Sequence, residues 1–361
     1  MFKFENLKTI HLEISNNCQA KCPMCARNHH SGLPNPLLKL NNWTLGDFKE
    51  IITEEVLSII EKIYFCGNFG DPLLNDDLIS MCEYLKNTNP NIHVSIHTNG
   101  AARKTSWWKD LYKALPSSHI IHFAIDGLED THHIYRVGTK YEDVIRNAVA
   151  FIQEGGIAEW TFIKFKHNEH QVSECRERAK FLGFNKFQLK SSSRFLGEPT
   201  YNVLDKFGNI THILELPSDN ADSFLDSSTI NSYKDLIKDV EINCLVQESK
   251  EIYIDAHKKL LPCCWLSSIP TTYYAPTGFV SEQIVKDINN QYNNLIIDLG
   301  GKDRINAKLG IKNILESKEW QSVWKKYWNE EKLITCSRVC GKFKTVKIPQ
   351  PQDQFIDLDQ F

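Results

Sequence analysis

Strand-like and helix-like segments alternate along the first half of the sequence, and this alternation constrains the fold more than any other feature. Segments rich in β-branched or aromatic residues predict six strands, at Thr9–Ser15, Ile63–Cys66, His93–Thr98, Ile120–Asp126, Trp160–Lys166 and Lys186–Lys190. Amphipathic stretches between them predict helices, the clearest over Thr44–Lys62 with Thr44 as its N-cap. Six βα units are fewer than the eight that close a TIM barrel, so the predicted fold class is α/β with a partial (β/α)6 TIM-like barrel.

The alternation ends near Ser193, and the rest of the 361-residue chain has a different pattern. Several glycines and prolines between Gly197 and Pro217 predict a linker, and a second domain is expected to begin near Glu241. A chain of this length is longer than the usual single domain. The predicted organisation is a core barrel at 1–195, a linker or insertion at 196–240, a C-terminal domain at 241–345 and a tail at 346–361.

The composition gives no strong signal for a nucleic-acid or membrane partner. The formal net charge is −3, 24% of the residues are charged, and no long basic run is present. The N-terminus lacks a signal-peptide pattern and no apolar run reaches transmembrane length, so we expect a cytoplasmic protein. Eleven cysteines are many for a reducing compartment, where disulfides seldom persist. Their clusters are therefore interpreted as metal ligands or catalytic groups.

The tightest cysteine cluster is Cys18-Gln-Ala-Lys-Cys22-Pro-Met-Cys25, directly after the first predicted strand. Iron–sulfur cubanes normally take four cysteine thiolates, and no fourth cysteine follows nearby. Three thiols can hold three irons of a four-iron cluster and leave the fourth iron open to an exogenous ligand. The alternative is a zinc site completed by His29 or His30, since zinc accepts mixed Cys/His ligands.

Polar motifs also follow the later strands of the predicted barrel. These motifs contain Gly70 and Asp71 after the second strand, Thr98 and Asn99 at the end of the third, Asp126 and Arg136 after the fourth, and Asn168 after the fifth. Ligands of such barrels bind at the C-terminal ends of the strands, so these residues are candidate ligand contacts. Glycines let the backbone approach a ligand, and a carboxylate can accept hydrogen bonds from an ammonium group. A loop arginine at the mouth is interpreted as a ligand of an anionic group rather than as part of a surface ion pair.

In this order the motifs resemble the radical S-adenosylmethionine (SAM) superfamily, over about residues 7–195. The resemblance implies that Cys18, Cys22 and Cys25 hold a four-iron, four-sulfur (4Fe–4S) cluster whose open iron is chelated by the amino and carboxylate groups of SAM. It also implies that the loop ending at Gly70 and Asp71 meets the SAM amino group. In this chain Asp71 replaces the glutamate that is commoner there.

The segments Thr98-Asn99-Gly100 and Asp126-Gly127 are similar to those of the branch of this superfamily that has extra iron–sulfur domains. In that branch an arginine pairs with the SAM carboxylate, which implies this role for Arg136. The serine that also touches the carboxylate is replaced here by Ala124. Asn168 resembles an asparagine that closes the corresponding strand, and its implied partner is a ribose hydroxyl of SAM.

The C-terminal half has a second cysteine pattern: Cys244, thirteen residues, Lys258, four residues, Cys263, and later Cys336-Ser-Arg-Val-Cys340. Four thiols suffice for one auxiliary 4Fe–4S cluster, and a zinc site made of the same thiols is the alternative. The pattern resembles the opening of a SPASM domain, with Lys258 where a glycine is expected, and its four ligands resemble the shorter twitch arrangement. Cys263 fits the spacing better than Cys264. Cys264 is interpreted as an inert buried thiol or, alternatively, as a hydrogen-atom donor.

The resemblance implies a radical SAM enzyme of the oxidoreductase type. An electron from a flavodoxin- or ferredoxin-like donor is expected to cleave SAM to methionine and a 5′-deoxyadenosyl radical, which abstracts a substrate hydrogen. An auxiliary cluster can accept an electron, so oxidation or crosslinking of a peptide or small molecule is the favoured outcome. One alternative is an epimerase with Cys264 or Cys175 as hydrogen donor. An alternative of another class is a zinc-stabilised binding protein without catalysis.

Overall fold

The described part of the chain is built from fifteen strands and thirteen α-helices. The computed structural model describes residues 1–29, 31–195, 198–220, 237, 240–272, 282–342 and 355–360. The strands are β1 (Thr9–Leu12), β2 (Asn28–His29), β3 (Leu33–Pro34), β4 (Lys62–Phe65), β5 (His93–Thr98), β6 (His119–Ala124), β7 (Ala158–Ile163), β8 (Lys186–Lys190), β9 (Thr200–Leu204), β10 (Ile210–Glu215), β11 (Glu241–Ile242), β12 (Glu251–Ile254), β13 (Leu260–Leu261), β14 (Gly341–Lys342) and β15 (Phe355–Gln360).

The α-helices are α1 (Leu45–Ile51), α2 (Glu54–Ile59), α3 (Leu78–Thr88), α4 (Thr105–Ala114), α5 (His132–Tyr135), α6 (Tyr141–Gln153), α7 (Val172–Phe181), α8 (Leu245–Ser249), α9 (Cys264–Thr272), α10 (Glu282–Asp298), α11 (Ile311–Leu315), α12 (Lys318–Lys325) and α13 (Ile334–Cys340). A π-helical turn follows α12 at Lys326–Glu330. None of the described helices combines the length and the apolar character needed to cross a membrane.

One sheet of nine strands forms the centre of the fold, in the order β13-β12-β1-β4-β5-β6-β7-β8-β15. The seven inner strands are parallel, and the edge strands β13 and β15 pair antiparallel. All six strands expected in the first half are present as β1 and β4 to β8, with helices in every interval between them. The prediction of an α/β fold with a partial barrel is confirmed.

The two faces of the parallel strands differ in chemistry because successive side chains point to opposite sides. One face is apolar and packs against the helices: Trp108 of α4 lies 5.0 Å from Phe123 of β6, measured between ring centroids. The opposite face carries polar rings. His11 stacks on Tyr64 of the neighbouring strand at 4.2 Å. The interior of the partial barrel is therefore partly polar, whereas closed TIM barrels are filled mainly by branched apolar residues.

The prediction of a single helix over Thr44–Lys62 is wrong, because the structure has two helices there. The Thr44 side chain accepts a hydrogen bond from Asp47 N and forms a capping box that starts α1. Helix α1 ends at Ile51, and the Thr53 side chain then accepts from Val56 N and starts α2. A threonine hydroxyl that caps a new helix competes with continuation of the old one, which explains the break.

The C-terminal half joins the central sheet. Strand β12 pairs parallel with β1, with Ile252 opposite Ile10, and β15 pairs antiparallel with β8. Strands β9 and β10 form an antiparallel hairpin inside the segment predicted as a linker, and β15 lies inside the segment predicted as a tail. The remainder of that tail, 346–354 and 361, lies outside the described residues.

Replacing Phe151 with Ala should lower the free energy of unfolding by about 3–5 kcal/mol, because it leaves a cavity in the helix layer of the core. Phe151 is 0% exposed and makes edge contacts with Trp108 and His119. Phe181, at 88% exposure, is the matched control, and Phe181→Ala should change the stability by less than about 0.5 kcal/mol. Urea denaturation measures both, and equal midpoints for the two variants would contradict the assigned core.

Candidate functional site: a cysteine loop at the mouth of the parallel strands

The three cysteines of the first motif lie in the loop that follows β1, and all three are partly exposed. Backbone bonds hold this loop: Lys21 N donates to Val137 O at 2.7 Å, and Cys25 N donates to Cys22 O at 3.1 Å. The structure therefore places Cys18, Cys22 and Cys25 in one loop at the C-terminal edge of the sheet, where ligands of such folds bind.

Two of these thiols accept hydrogen bonds from neighbouring loops. Asn99 Nδ2 lies 3.7 Å from Cys18 Sγ, and Arg136 Nη1 lies 3.8 Å from Cys22 Sγ. Loss of solvation raises the pKa of Cys18 to about 12, and Asp71 adds to the shift. Burial also raises the pKa of Cys22, while Arg136 opposes that shift. Bound iron would offset the free-energy cost of burying charged thiolates. N–H groups that donate to sulfur are typical around iron–sulfur centres, so these side chains fit a cluster.

Asp71 connects the loop after β4 to the end of β5. Its carboxylate is 3% exposed and accepts hydrogen bonds from Leu73 N at 3.0 Å, Thr98 Oγ1 at 2.9 Å, and Asn99 N and Nδ2 at 2.8 and 2.6 Å. Burial raises the pKa of Asp71, and the N–H groups of Asn99 and Leu73 oppose the shift. Both carboxylate oxygens of Asp71 thus accept hydrogen bonds from other groups of the protein. Its implied contact with the SAM amino group stays a prediction.

The glycines of the same loop are required by close packing. A Cβ atom on Gly70 would lie 2.0 Å from Ser15 O, and one on Gly67 would lie 2.5 Å from Gly70 O. Asp71 N donates to Asn17 O at 2.8 Å, so the loop is bonded to the residues that lead into the cysteine motif. Because both obstacles are backbone atoms, side chains at these two positions would displace the loop.

Arg136 is held by a buried carboxylate. Its Nε donates to Asp126 Oδ2 at 2.5 Å, and the other oxygen of Asp126 accepts from Ile163 N at 2.6 Å. The Asp126 side chain is 0% exposed, whereas 15% of the Arg136 side chain is exposed. The adjacent carboxylate raises the pKa of Arg136 against the effect of burial, so the guanidinium stays charged. Arg136 is therefore a fixed cation beside Cys22, and its contact with a SAM carboxylate stays a prediction.

Asn168 closes the loop after β7. Its Oδ1 accepts from Phe165 N at 2.7 Å, and its Nδ2 donates to Ile163 O at 3.0 Å and Asp126 O at 3.2 Å. The side chain is 0% exposed. Asn168 thus joins two neighbouring loops of the mouth, and its implied contact with a ribose hydroxyl stays a prediction.

The β9–β10 hairpin lies over the cysteine loop, and the sequence analysis did not anticipate it. Tyr201 Oη donates to Pro23 O at 3.0 Å, Arg194 Nη1 donates to Met24 O at 3.1 Å, and Met24 packs in a small apolar cluster with Phe165. Turn residues at Gly208-Asn209 between two alternating segments were the available sequence signal.

The C-terminal cysteines come together around the short β11–β14 pair. Asn243 N donates to Cys340 O at 3.0 Å, and Cys336 precedes Cys340 by one turn of α13. A hydrogen bond from the Cys244 thiol lowers the pKa of Cys340 to about 7 and raises that of Cys244. Burial raises the pKa of Cys263 to about 12, and Cys340 contributes to this shift. The four predicted ligands Cys244, Cys263, Cys336 and Cys340 are therefore neighbours in space.

Cys263 and its neighbour Cys264 interact with different groups. Cys263 is an electrostatic neighbour of Cys336 and Cys340. Burial raises the pKa of Cys264, and the next contributions come from Cys263 and from Cys66 after β4. Cys264 thus interacts electrostatically with Cys66 as well as with its neighbour Cys263.

One family model matches the part of the chain that contains these loops. Residues 12–165 match the family model described as the Radical SAM superfamily. This segment begins in β1 and ends just after β7, so it contains the cysteine loop and the loops that carry Asp71, Asn99 and Arg136. This part of the chain is a radical SAM domain.

One solved structure with bound AdoMet shares the fold, and two others are less similar. The chain is 15% identical to anSMEcpe with bound AdoMet, covering 97% of this chain and 89% of that one with a TM-score of 0.53. It is 15% identical to Streptococcus suis SuiB bound to the precursor peptide SuiA, covering 71% of this chain and 59% of SuiB with a TM-score of 0.47. For BtrN in complex with AdoMet and 2-DOIA, the identity is 13%, the coverage 97% and 98%, and the TM-score 0.46. A search of curated proteins finds no match.

Proposed function

We propose that the protein is a radical SAM enzyme in which Cys18, Cys22 and Cys25 hold a 4Fe–4S cluster with one open iron. When bound there, the cluster supplies the electron that cleaves SAM to methionine and a 5′-deoxyadenosyl radical, which then abstracts a substrate hydrogen. The observation that supports this best is the cysteine loop at the mouth of the sheet, with Asn99 and Arg136 as N–H donors to two of its thiols. The chain's own contribution is to position SAM and the substrate, since the cofactors supply the reactivity.

The sequence spacing of Cys18, Cys22 and Cys25 favours a cluster over zinc. Across the part of the chain that the structure describes, no three His, Cys, Asp or Glu side chains form a group that could hold one metal ion. A four-iron cluster binds each thiolate to a different iron, whereas all ligands of a zinc site bind the same ion. Of the histidines that a zinc site would use, His30 and the side chain of His29 lie outside the described part of the chain.

Arg136 is the proposed partner of the SAM carboxylate. Asp126 accepts from Nε and fixes the plane of the guanidinium, while Nη1 lies 3.8 Å from Cys22 Sγ. A fixed planar cation beside Cys22 would suit a bidentate contact with the carboxylate of SAM. We include Gly70, Asp71, Thr98, Asn99 and Asn168 in the SAM site as residues that shape its loops.

Cys244, Cys263, Cys336 and Cys340 are proposed to hold one auxiliary 4Fe–4S cluster in a twitch-like domain. Their mutual electrostatic influence supports this ligand set, and the different surroundings of Cys264 support Cys263 as the ligand. Such a cluster can take the electron that a substrate radical loses, which favours net oxidation or crosslinking. A flavodoxin- or ferredoxin-like protein is the proposed electron donor.

A peptide is the proposed substrate class, with a small molecule as the alternative. One structure of anSMEcpe, with a TM-score of 0.50 and 14% identity, contains AdoMet and a bound peptide. Epimerisation is the second candidate reaction, because Cys264 lies near Cys66 and the polar interior and could return a hydrogen atom. Transfer of solvent deuterium into an otherwise unchanged product would identify the epimerase, and loss of two hydrogens would identify the oxidation.

Replacing Cys18, Cys22 and Cys25 together with Ala should abolish reductive cleavage of SAM and remove about half of the iron, because the open iron has no protein ligand. Iron analysis and chromatography of 5′-deoxyadenosine after dithionite reduction measure the two effects. Cys82→Ala, which alters a buried cysteine of α3, is the control and should retain both the iron content and the cleavage of SAM. Continued cleavage in the triple variant would refute the assignment.

Arg136→Ala should leave the iron content unchanged and weaken SAM binding by about 1.5–3 kcal/mol, the range for a charge-assisted bidentate contact. Calorimetric titration of the anaerobically reconstituted protein measures the affinity. Arg146→Ala removes an exposed arginine paired with Asp143 and serves as the control. Arg136→Lys should recover only part of the affinity because a lysine lacks the planar fork. Wild-type affinity in Arg136→Ala would exclude this contact.

Replacing Cys244, Cys263, Cys336 and Cys340 together with Ala should remove one four-iron cluster and stop product formation while 5′-deoxyadenosine is still made. Circular dichroism must first show a native fold, because the cluster also ties the domain together. The single variants Cys263→Ala and Cys264→Ala separate the two neighbours by iron content. A second cluster that survives Cys263→Ala and is lost in Cys264→Ala would show that the wrong cysteine was chosen.

A further inference from the structure

Glu13 is a buried carboxylate that contacts the glycine loop after β4. It follows β1, its side chain is 2% exposed, and its Oε1 accepts hydrogen bonds from Phe69 N at 2.8 Å and Gly70 N at 3.2 Å. A Cβ atom on Gly67 would lie 2.9 Å from the same oxygen. The loop is therefore folded around this carboxylate, and two of its amides have their acceptor there.

The second carboxylate oxygen of Glu13 is hydrogen-bonded to the C-terminal half of the chain. Glu13 Oε2 accepts from Tyr253 Oη at 2.7 Å, and Tyr253 lies on β12 with 0% exposure. Tyr253 Oη in turn accepts from Asn68 Nδ2 at 3.2 Å, and Asn68 Nδ2 also donates to Cys264 O at 2.9 Å. A continuous set of hydrogen bonds thus joins Gly70 to the residue next to Cys263.

Buried polar groups of this kind are costly unless every member has a partner, so the network has few alternative arrangements. Loss of solvation raises the pKa of Glu13 to about 7, and the amide of Phe69 and the hydroxyl of Tyr253 oppose the shift. Displacement of one member, for instance the backbone at Cys264, removes a partner from Asn68, whose side chain also donates to Tyr253 Oη. Such a displacement therefore changes the hydrogen bonds that position the loop.

We propose that Glu13 is a positioning residue for the SAM-binding loop, and that Tyr253 and Asn68 couple this loop to the C-terminal cysteine centre. The inference rests on the proposed function of both sites. The coupling predicts that loss of the C-terminal cysteine centre weakens SAM binding at the Cys18–Cys25 loop, because one hydrogen-bonded network joins the two sites.

The first experiment tests the positioning role of Glu13 without any SAM chemistry. Amide hydrogen exchange of Phe69 and Gly70 is measured on the reconstituted full-length protein, its Glu13→Gln variant and its Glu13→Leu variant. Glu13→Leu should speed exchange at these amides by about tenfold or more, because their acceptor is gone. Glu13→Gln keeps an acceptor oxygen and should stay near wild type. Unchanged exchange in Glu13→Leu overturns the proposal even if SAM is still cleaved.

SAM kinetics separate positioning from a general loss of structure. Glu13→Leu should raise the KM for SAM about tenfold while the rate of 5′-deoxyadenosine formation at saturating SAM stays within about twofold, and Glu13→Gln should restore the KM. Equal loss of rate in both variants overturns the positioning role. If Glu13→Leu does not fold, Tyr253→Phe replaces it, since the ring remains and only the hydroxyl is removed.

The coupling is tested by a double-mutant cycle on SAM affinity with Tyr253→Phe and Cys263→Ala. Cys263→Ala should weaken SAM binding about fivefold or more when Tyr253 is present, and clearly less in the Tyr253→Phe background. Additive effects overturn the coupling while leaving the radical SAM assignment intact. Absence of SAM binding in the wild-type protein would instead refute the proposed function.

Discussion

Buried carboxylates after the strands hold the mouth of this fold together. Parallel strands end at one edge, and the loops that leave them carry amide groups that need acceptors. Glu13 accepts hydrogen bonds from the loop after β4, and Asp71 accepts them from the end of β5. Asp126 accepts one from the end of β7 and also binds Arg136. Each carboxylate follows one strand and bonds to the backbone at or beyond the end of another. The positions of the candidate ligands therefore depend on these three side chains.

The same arrangement places several buried acidic groups near the cysteine loop. Burial disfavours the charged forms of Glu13 and Asp71 and raises the pKa of Cys18 and Cys22. Arg136 is the cation placed against them. A positively charged iron centre and the sulfonium group of SAM would both be favoured in such surroundings. The electrostatics thus agree with the proposed ligands, although the acidic groups serve mainly to position loops.

Much of the barrel could be predicted from the sequence, because its strands are rich in β-branched or aromatic residues and lie between amphipathic helices. The helix break at Thr53 was missed, since a hydroxyl in a helical pattern caps a new helix only when the chain turns there. Glu13 was also missed. A single acid beside apolar strand residues has no local signature, and its partners Phe69 and Tyr253 lie 56 and 240 residues away.

In the candidate site, too, motif spacing could be read from the sequence, whereas contacts between distant loops could not. Spacing indicated the triplet of thiols and favoured Cys263 over Cys264, and both ligand assignments stay predictions. The contacts of Asp71 and Asn168 could not be read from motifs, because they depend on which neighbouring loop supplies the donors.

The parallel pairing of β12 with β1 has a consequence for the order of folding. The backbone of β1 at Thr9–Leu12 has its partner on that side only at Glu251–Ile254. During synthesis this edge stays open until some 240 further residues have left the ribosome, and an unpaired edge invites association with other chains. Contacts of such long sequence separation also form slowly. Strand β1 leads directly into the cysteine loop, so the last strand to join the parallel part of the sheet adjoins the strand that precedes the proposed cluster ligands.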